Sequence, residues 1–319
     1  MGPETGQRSL GARALERFFG EQPMQAMVIA RVGLGLLLFF AWALKFRYIQ
    51  ALYGPEGIGG HAFQERIPGA FLARPLEASL QLLVQVSSPG LIWLLYILLL
   101  ASSLCFAAGA FTRSAGLIAL VLHALFHARN HYATQGWAVL LKPFLFFVLM
   151  APVGRFGSLD AWWRRKRQPL VPVQNWSGPG WTVRLLQMQI CMMYAAASWS
   201  RFDNPGWLNG DMLFVALDSR LYGRFDIDWF PVIALLHWLS YGALVLEPLA
   251  PFLLWLKGIG KWWALALIGM HLALEIGTNI SWWQFLMISL LPVFLPANWL
   301  TALIRAPARF FAGHARAAP

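Results

Sequence analysis

A cation and a carboxylate stand two positions apart where a long apolar stretch of the sequence ends. The stretch covers residues 182–199, and Arg201 and Asp203 follow it directly, with Trp207 four positions further on. A charged pair at the end of a membrane helix is costly unless the charges are paired or face an aqueous cavity. Residues 194–210 are therefore the first candidate for a functional site.

A second set of ionisable groups interrupts the apolar stretch at residues 262–280. His271 and Glu275 are four positions apart, so they share one face of a helix. A His/Glu pair suits proton transfer, because imidazole titrates near neutral pH and the carboxylate orients it. Hydrogen bonding between helices is an equal alternative. Glu247, followed by Pro248, places another carboxylate inside an apolar stretch.

Lys142 is a lone cation inside the apolar stretch at residues 137–152. A lysine at this position needs a carboxylate partner, and Glu247 and Glu275 are the candidates. An ion pair that only tethers helices and a catalytic role are both open. Further polar residues in apolar stretches are Arg31, Arg184, Gln187 and Gln189.

Three histidines lie near the end of another apolar stretch, at positions 123, 127 and 131. His123 and His127 share a helix face, a spacing that can bind metal. No acidic ligand is near them in the sequence, so we favour a structural role, with one histidine facing the lipid headgroups and one hydrogen-bonded between helices, and we predict no metal. Cys105 and Cys191 both lie in apolar stretches and are expected to be inert core thiols.

The composition places these groups in a membrane protein. The chain has 319 residues, of which 58% are hydrophobic and 12% are charged, whereas soluble domains carry about 25% charged residues. The net charge of +11 resides in short segments between apolar stretches. Such basic residues are typical of topology signals, so we expect no nucleic-acid partner.

Eight apolar stretches are candidates for spanning helices, which need about 20 residues. They cover residues 24–44, 90–108, 114–128, 137–152, 182–199, 229–256, 262–280 and 282–297. We predict an all-α integral membrane protein with about eight transmembrane helices, short interfacial helices and long loops on the outer face. An amphipathic segment at 1–23, a membrane domain at 24–298 and a basic tail at 299–319 complete the predicted organisation.

The distribution of basic residues predicts the orientation of these helices. When both termini are placed in the cytosol, the inner side holds most Lys and Arg residues, including the run at positions 164–167. We expect this topology in a bacterial inner membrane. Two outer loops, at 45–88 and 201–228, are expected to form a lid, the second with a short helix at 211–217 capped by Asn209 or Asp211.

Several sequence blocks, taken together and in order, resemble the HTTM family, the membrane domain shared with vitamin K-dependent gamma-carboxylase. The blocks lie at residues 53–57, 130–131, 142 with 156–160, 184–190 leading to Tyr194, 207–210, 247–248 and 271. The resemblance covers roughly residues 25–297, which is nearly the whole chain.

The resemblance implies a multi-span enzyme that binds a reduced naphthoquinone. In that chemistry a lysine deprotonates the hydroquinone, oxygen addition creates a strong base, and a glutamyl proton is exchanged for carbon dioxide. The position that matches the lysine is Arg201, and an arginine stays protonated near neutral pH. His131 matches the histidine that assists the peroxidic step. The sequence shows no counterpart of the carboxylase's lumenal domain, so glutamate carboxylation is not expected.

Two functions follow from the residues and the resemblance. The first is a quinone-dependent, carboxylase-like enzyme with an intramembrane cavity open to the outer face, and whether the protein is catalytic stays open. Its catalytic candidates are Arg201, His131, Asp203 and His271, and its ligand-binding candidates are Lys142, Glu247, Tyr194, Trp207 and Glu275. The second is a non-catalytic membrane component for maturation or export of a secreted peptide. Expected partners are a membrane lipid or quinone and a secreted peptide or protein; transport is less favoured, because no half-helix pair stands out.

Overall fold

The computed structural model describes residues 10–58, 88–130, 132–168, 176–219, 221–225, 230–280 and 282–305. The helices in these ranges are α1 Leu10–Phe19, α2 Gln25–Ala43, α3 Ile49–Tyr53, α4 Pro89–Ala108, α5 Thr112–Arg129, α6 Trp137–Met150, α7 Leu159–Arg167, α8 Gly180–Phe202, α9 Pro205–Leu208, α10 Met212–Asp218, α11 Phe230–Leu253, α12 Ile259–Gly277 and α13 Trp283–Leu290. Short 3-10 helices cover Phe46–Tyr48, Val153–Arg155 and Leu291–Phe294, and residues 297–305 are also helical. The described part of the chain is therefore all-α apart from two three-residue strands.

Each of the eight predicted apolar stretches contains a helix, but four helices in the described ranges are both long and apolar enough to span a membrane. These four are Gln25–Ala43, Pro89–Ala108, Val232–Leu253 and Ile259–Gly277. Helix α6 and the segment Trp283–Phe294 are apolar but shorter. Helices α5 and α8 have the length, but their polar side chains lower their hydropathy. The membrane class is confirmed, and the number of eight spans stays a prediction.

The long helices alternate in direction between two ends of a bundle. We call the end at which α2 and α8 begin the basal end, and the end at which they finish the distal end. At the basal end, strand β1 (Glu21–Pro23) pairs antiparallel with β2 (Ser177–Pro179) and ties the start of α2 to the start of α8. At the distal end, the Arg129 Nε donates to the carbonyl of Tyr53 at 2.6 Å.

Helix α2 lies at the centre of the bundle. Within the spanning windows, 61% of its residues are buried, against 22% in α11 and in α12. A close approach of α4 explains part of this burial, because a Cβ atom at Gly35 would lie 2.7 Å from the backbone nitrogen of Ala107. Small residues at such crossings let membrane helices pack backbone to backbone. Helices α11 and α12 are peripheral and leave large apolar faces for lipid.

A buried arginine holds the basal end together. Arg31 of α2 is 1% exposed and donates to the carbonyls of Val153 at 2.8 Å and Gly157 at 2.6 Å. Gly109, at φ +71°, ends α4 next to it. A Cβ atom at Gly109 would lie 2.7 Å from Arg31 Nη1 and 2.3 Å from the Cβ of Ser158. The polar residue that the sequence placed in the first apolar stretch thus serves as a tie between chain segments.

Asp160 of α7 organises the turn between α4 and α5. Its carboxylate accepts the backbone N–H groups of Phe111 and Thr112 at 2.8 Å and the Thr112 hydroxyl at 2.7 Å. Burial acts to raise the pKa of this carboxyl, but the bonds from Thr112 and Phe111 and the charge of Arg164 outweigh it. The pKa of Asp160 therefore lies below its ordinary value.

The predicted peripheral segments have mixed outcomes. Helix α1 lies within the predicted amphipathic segment, and α10 matches the short helix predicted at 211–217. The placement of this segment on the outer face stays a prediction. Asp211, one of the two predicted caps, occupies the N-cap position of α10, but its side chain forms no cap bond. Its Oδ1 instead lies 3.7 Å from His237 Nδ1. Residues 59–87 and 306–319 lie outside the described ranges, and the division at 23 and 298 stays a prediction.

Candidate functional site

Arg201 lies one residue before the end of α8 and forms an ion pair with Glu247 of α11. The side chain of Glu247 is 4% exposed and that of Arg201 is 21% exposed. Asp203, the other charge at this helix end, is the exposed C-cap residue of α8 and is not the partner of Arg201 in this ion pair. A helical side chain lies over the turn that precedes its own Cα, so Arg201 reaches back into the bundle while Asp203 stays beyond the helix.

An aromatic ring covers the cation of this pair. The guanidinium carbon of Arg201 lies 4.4 Å from the ring centroid of Trp207, in the short helix α9. The loop is fixed locally, because Asn204 Oδ1 accepts the backbone N–H of Gly206 at 2.9 Å. A cation over a tryptophan ring is stabilised by the ring quadrupole. Trp207 therefore covers Arg201 from the distal side, and its predicted ligand-binding role stays a prediction.

Beside the ion pair, three side chains form a hydrogen-bond chain across α8, α12 and α13. The Tyr194 hydroxyl lies 2.9 Å from His271 Nε2, and His271 Nδ1 lies 2.5 Å from Gln284 Oε1. An amide oxygen only accepts, so Nδ1 carries the proton and donates to Gln284. The unprotonated Nε2 then accepts the proton of the Tyr194 hydroxyl. Gln284 thus fixes the tautomer of a buried histidine.

The ion pair and the hydrogen-bond chain belong to one cluster. Arg201 interacts electrostatically with both Tyr194 and His271, and Glu247 interacts with Tyr194. Tyr194 and Arg201 are seven positions apart, two turns of one helix face. Ser198 lies between them on that face and donates to the Tyr194 carbonyl at 2.7 Å. We call this cluster the α8 site; its members are Tyr194, Arg201, Trp207, Glu247, His271 and Gln284.

Glu275 does not join the α8 site. Its Oε1 accepts from Arg224 Nη2 at 2.7 Å, while Arg224 Nε donates to the Thr278 carbonyl at 2.8 Å. His271 and Glu275 therefore have different partners, and His271 forms hydrogen bonds between helices, the alternative that the sequence left open. The contacts of Arg224 attach the segment that follows α10 to the distal end of α12.

The two carboxylates proposed as partners of Lys142 are both paired with arginines, Glu247 with Arg201 and Glu275 with Arg224. Lys142 lies on α6, where it interacts electrostatically with the buried His123. Lys142 is therefore near His123 of α5 and is not a member of the α8 site. His131, the matched histidine of the expected chemistry, lies outside the described residues.

Both histidines of α5 are buried, so the expectation that one faces the lipid headgroups is wrong, and His123 hydrogen-bonds to two other helices, as expected for one of the two. Trp42 Nε1 donates to His123 Nδ1 at 3.1 Å, so His123 Nε2 donates to the Ala138 carbonyl at 3.0 Å. His127 Nδ1 lies 2.6 Å from the Thr134 hydroxyl oxygen. In the described ranges, no group of three His, Cys, Asp or Glu residues has the geometry to hold a metal ion.

Arg184 and Gln187, two further polar groups of α8, also have structural partners. Arg184 Nη1 donates to Gln187 Oε1 at 2.9 Å, and Gln187 Nε2 donates to the Val293 carbonyl at 2.9 Å. Cys105 and Cys191 are free thiols. These contacts tie α8 to the segment after α13 and add no chemistry to the α8 site.

Sequence reasoning missed Gln284, Ser198 and Arg224. Gln284 is 4% exposed, yet a glutamine after a pair of tryptophans is also typical of a membrane interface. The apolar residues around Gln284 could have indicated its burial, and a buried amide needs a hydrogen-bond partner. The spacing of Tyr194, Ser198 and Arg201 on one helical face was a second signal.

A family model described as the HTTM domain matches residues 75–299, which is more than half of the chain. No curated protein and no solved structure matches the chain. The matched range includes every residue of the α8 site, whereas α2 and the block at residues 53–57 lie outside it.

Proposed function

Because the chain belongs to the HTTM family, we propose that the α8 site binds the polar head of a membrane quinone or a related lipid. One observation carries this proposal: a buried ion pair stands beside a buried Tyr–His–Gln hydrogen-bond chain inside apolar helices. Ionisable groups at such positions are costly and are found where membrane proteins bind or move charge.

The residues of the α8 site match the chemistry of a hydroquinone head. Arg201 is the partly exposed member of its ion pair, and its guanidinium can donate to a phenolic or anionic oxygen. Trp207 offers an aromatic surface next to that donor. The apolar faces of α11 and α12 are suited to an isoprenoid tail. A bound hydroquinone would supply two electrons and two protons on oxidation.

The proton-handling group of the proposed site is His271. Arg201 stays protonated, so it binds and stabilises negative charge but removes no proton. Nε2 of His271 is the unprotonated nitrogen and already accepts a hydrogen bond from the Tyr194 hydroxyl. It is therefore placed to take up the proton of that tyrosine hydroxyl. Gln284 keeps Nδ1–H engaged and prevents the ring from turning. Catalysis of this kind would be oxidation of the quinol by dioxygen, the oxidant of the chemistry that the family resemblance implies, without the family lysine. Dioxygen would take up the two electrons and two protons as hydrogen peroxide.

A second candidate function is non-catalytic, and the pairing of Arg201 favours it. Glu247 already neutralises the cation, so the ion pair can serve as a structural centre without a ligand. The protein would then be a membrane component for maturation or export of a secreted peptide. In both cases we propose a bacterial inner membrane with cytosolic termini, supported by the basic residues of α7 at the basal end.

The two functions differ in what the purified protein contains. The protein is purified in a mild detergent and extracted with organic solvent, and the extract is analysed for quinones. The first function predicts a quinone that is lost in Arg201→Ala and retained in Asp203→Ala, an exposed control. A quinone-free extract from the wild-type protein, with no oxidation of added hydroquinone, would favour the non-catalytic function.

A further inference from the structure

Helix α7 presents tryptophans and basic residues together on the surface of the basal end. Its residues 162–167 are all exposed, with Trp162 at 48% and Trp163 at 38%. The run Arg164–Arg167 contains four consecutive cations, and the Lys166 Nζ lies 4.1 Å from the ring centroid of Trp162. The α8 site lies towards the other end of the bundle, so it gives no reason for this surface.

A strained phenylalanine extends the same surface. Phe111 has φ +47° and ψ +43°, a left-handed conformation that a bulky side chain rarely adopts. Phe111 is 68% exposed, and its ring centroid lies 5.7 Å from the ring centroid of Trp163. Asp160 holds the strain in place by accepting the Phe111 N–H. Glycine would adopt this backbone freely, so the native residue places an aromatic ring on the surface at a conformational penalty.

The chain around these side chains is held firmly. Ser158 caps α7 by accepting the N–H of Ala161 at 3.0 Å, and Arg164 Nη2 donates to the Gly154 carbonyl at 2.7 Å. The exposed rings and charges are therefore presented in a fixed arrangement. We define the basal patch as Phe111, Trp162, Trp163, Arg165, Lys166 and Arg167.

We propose that the basal patch binds the headgroup of an anionic phospholipid in the leaflet around the basal end. Tryptophans at the ends of spanning helices lie at the depth of the headgroups, and basic clusters beside such helices attract anionic lipids. Arg165, Lys166 and Arg167 supply the cations for the phosphate. The rings of Phe111 and Trp163 pack against the upper acyl chains. This binding is separate from the proposed quinone site and does not depend on it.

The test uses the full-length protein in dodecyl maltoside micelles, with bound lipids counted by native mass spectrometry. Dioleoylphosphatidylglycerol and dioleoylphosphatidylcholine are added at equal concentration. We expect the wild-type protein to retain the anionic lipid about tenfold more strongly, and Arg165→Gln/Lys166→Gln to reduce this preference to about twofold, because each basic residue near a membrane surface contributes attraction. The control Arg47→Gln/Lys257→Gln removes two exposed cations outside the patch and should keep the wild-type preference.

Phe111→Gly separates lipid binding from folding. The variant relieves the backbone strain, so its thermal unfolding midpoint should equal or exceed that of the wild-type protein, while retention of both lipids falls. The proposal is overturned if the wild-type protein shows no preference for the anionic lipid, or if the double patch variant behaves like the control. Displacement of the lipid by equimolar inorganic phosphate or by a poly-glutamate peptide would also overturn it, by assigning the patch to a soluble anion or an acidic protein.

Discussion

Arg201 and Glu247 neutralise each other across the interface of α8 and α11, although Asp203 is the carboxylate nearest to Arg201 in the sequence. The pair joins a helix of low hydropathy to one of the four helices that can span a membrane. Its position near the C-terminal end of α8 also places the cation where the helix dipole favours positive charge.

Removal of one partner should destabilise the protein far more than removal of both. We expect Glu247→Gln to lower the free energy of unfolding by about 3–5 kcal/mol, because it leaves a mostly buried cation unpaired. Arg201→Gln/Glu247→Gln should recover much of that loss. Asp203→Asn is the matched control and should change stability by less than about 0.5 kcal/mol. Thermal unfolding in detergent measures all three, and an equal effect of Glu247→Gln and Asp203→Asn would refute the pairing.

Gln284 should determine the tautomer of His271. Replacing Gln284 with leucine removes the acceptor of Nδ1–H, so we expect a mixture of the two neutral tautomers in place of one. Nitrogen-15 NMR of histidine-labelled protein distinguishes the tautomers. The loss of a buried hydrogen bond should also destabilise the protein by about 1–3 kcal/mol. Gln189→Leu, on a partly exposed face of α8, is the control; a single unchanged His271 tautomer in Gln284→Leu would contradict the assignment.

Asp160 should make the stability of the basal end dependent on pH. Its pKa in the folded protein lies below the ordinary value, so its contribution is fully present above the unfolded pKa and is lost as pH falls through the folded pKa. Between neutral pH and about pH 3, below the ordinary aspartate value, the unfolding midpoint of Asp160→Asn should fall less than that of the wild-type protein. At neutral pH the variant should lose about 1–3 kcal/mol. Parallel pH profiles of the two proteins would show that Asp160 makes no such contribution.

Arg224 should hold residues 205–225, which follow α8, against the distal end of α12. In Arg224→Ala the bonds to Glu275 and Thr278 are lost, so amide hydrogen exchange in residues 205–225 should increase by about tenfold or more. Global stability should fall by less than about 1 kcal/mol, since Arg224 is an exposed partner. Arg47→Ala, which removes an exposed arginine from another loop, is the control. Unchanged exchange in residues 205–225 would indicate that other contacts hold this loop.

Much of the α8 site was predictable from the sequence. Tyr194, Arg201, Trp207, Glu247 and His271 were all named as candidates, because ionisable and aromatic groups within apolar helices stand out against their surroundings. The same rule also named three residues that are not members of the α8 site: Asp203, Lys142 and Glu275. His131, a further candidate, lies outside the described residues. A rule that detects polar groups in apolar stretches finds which residues are unusual, but it contains no information on which helices are neighbours.

The sequence by itself determined the membrane class, the approximate positions of the long apolar helices and the faces on which the polar residues lie. It did not predict the short helices α3, α7 and α9. Hydropathy and the 3.6-residue period are local properties of the sequence, so they can be read without knowledge of the tertiary structure. Only the tertiary structure decided the partners: Arg201 with Glu247, Glu275 with Arg224, and His271 between Tyr194 and Gln284. The reason is geometric, because a pairing depends on the lateral order of the helices, on the depth of each residue, and on the direction in which a long side chain leaves its helix.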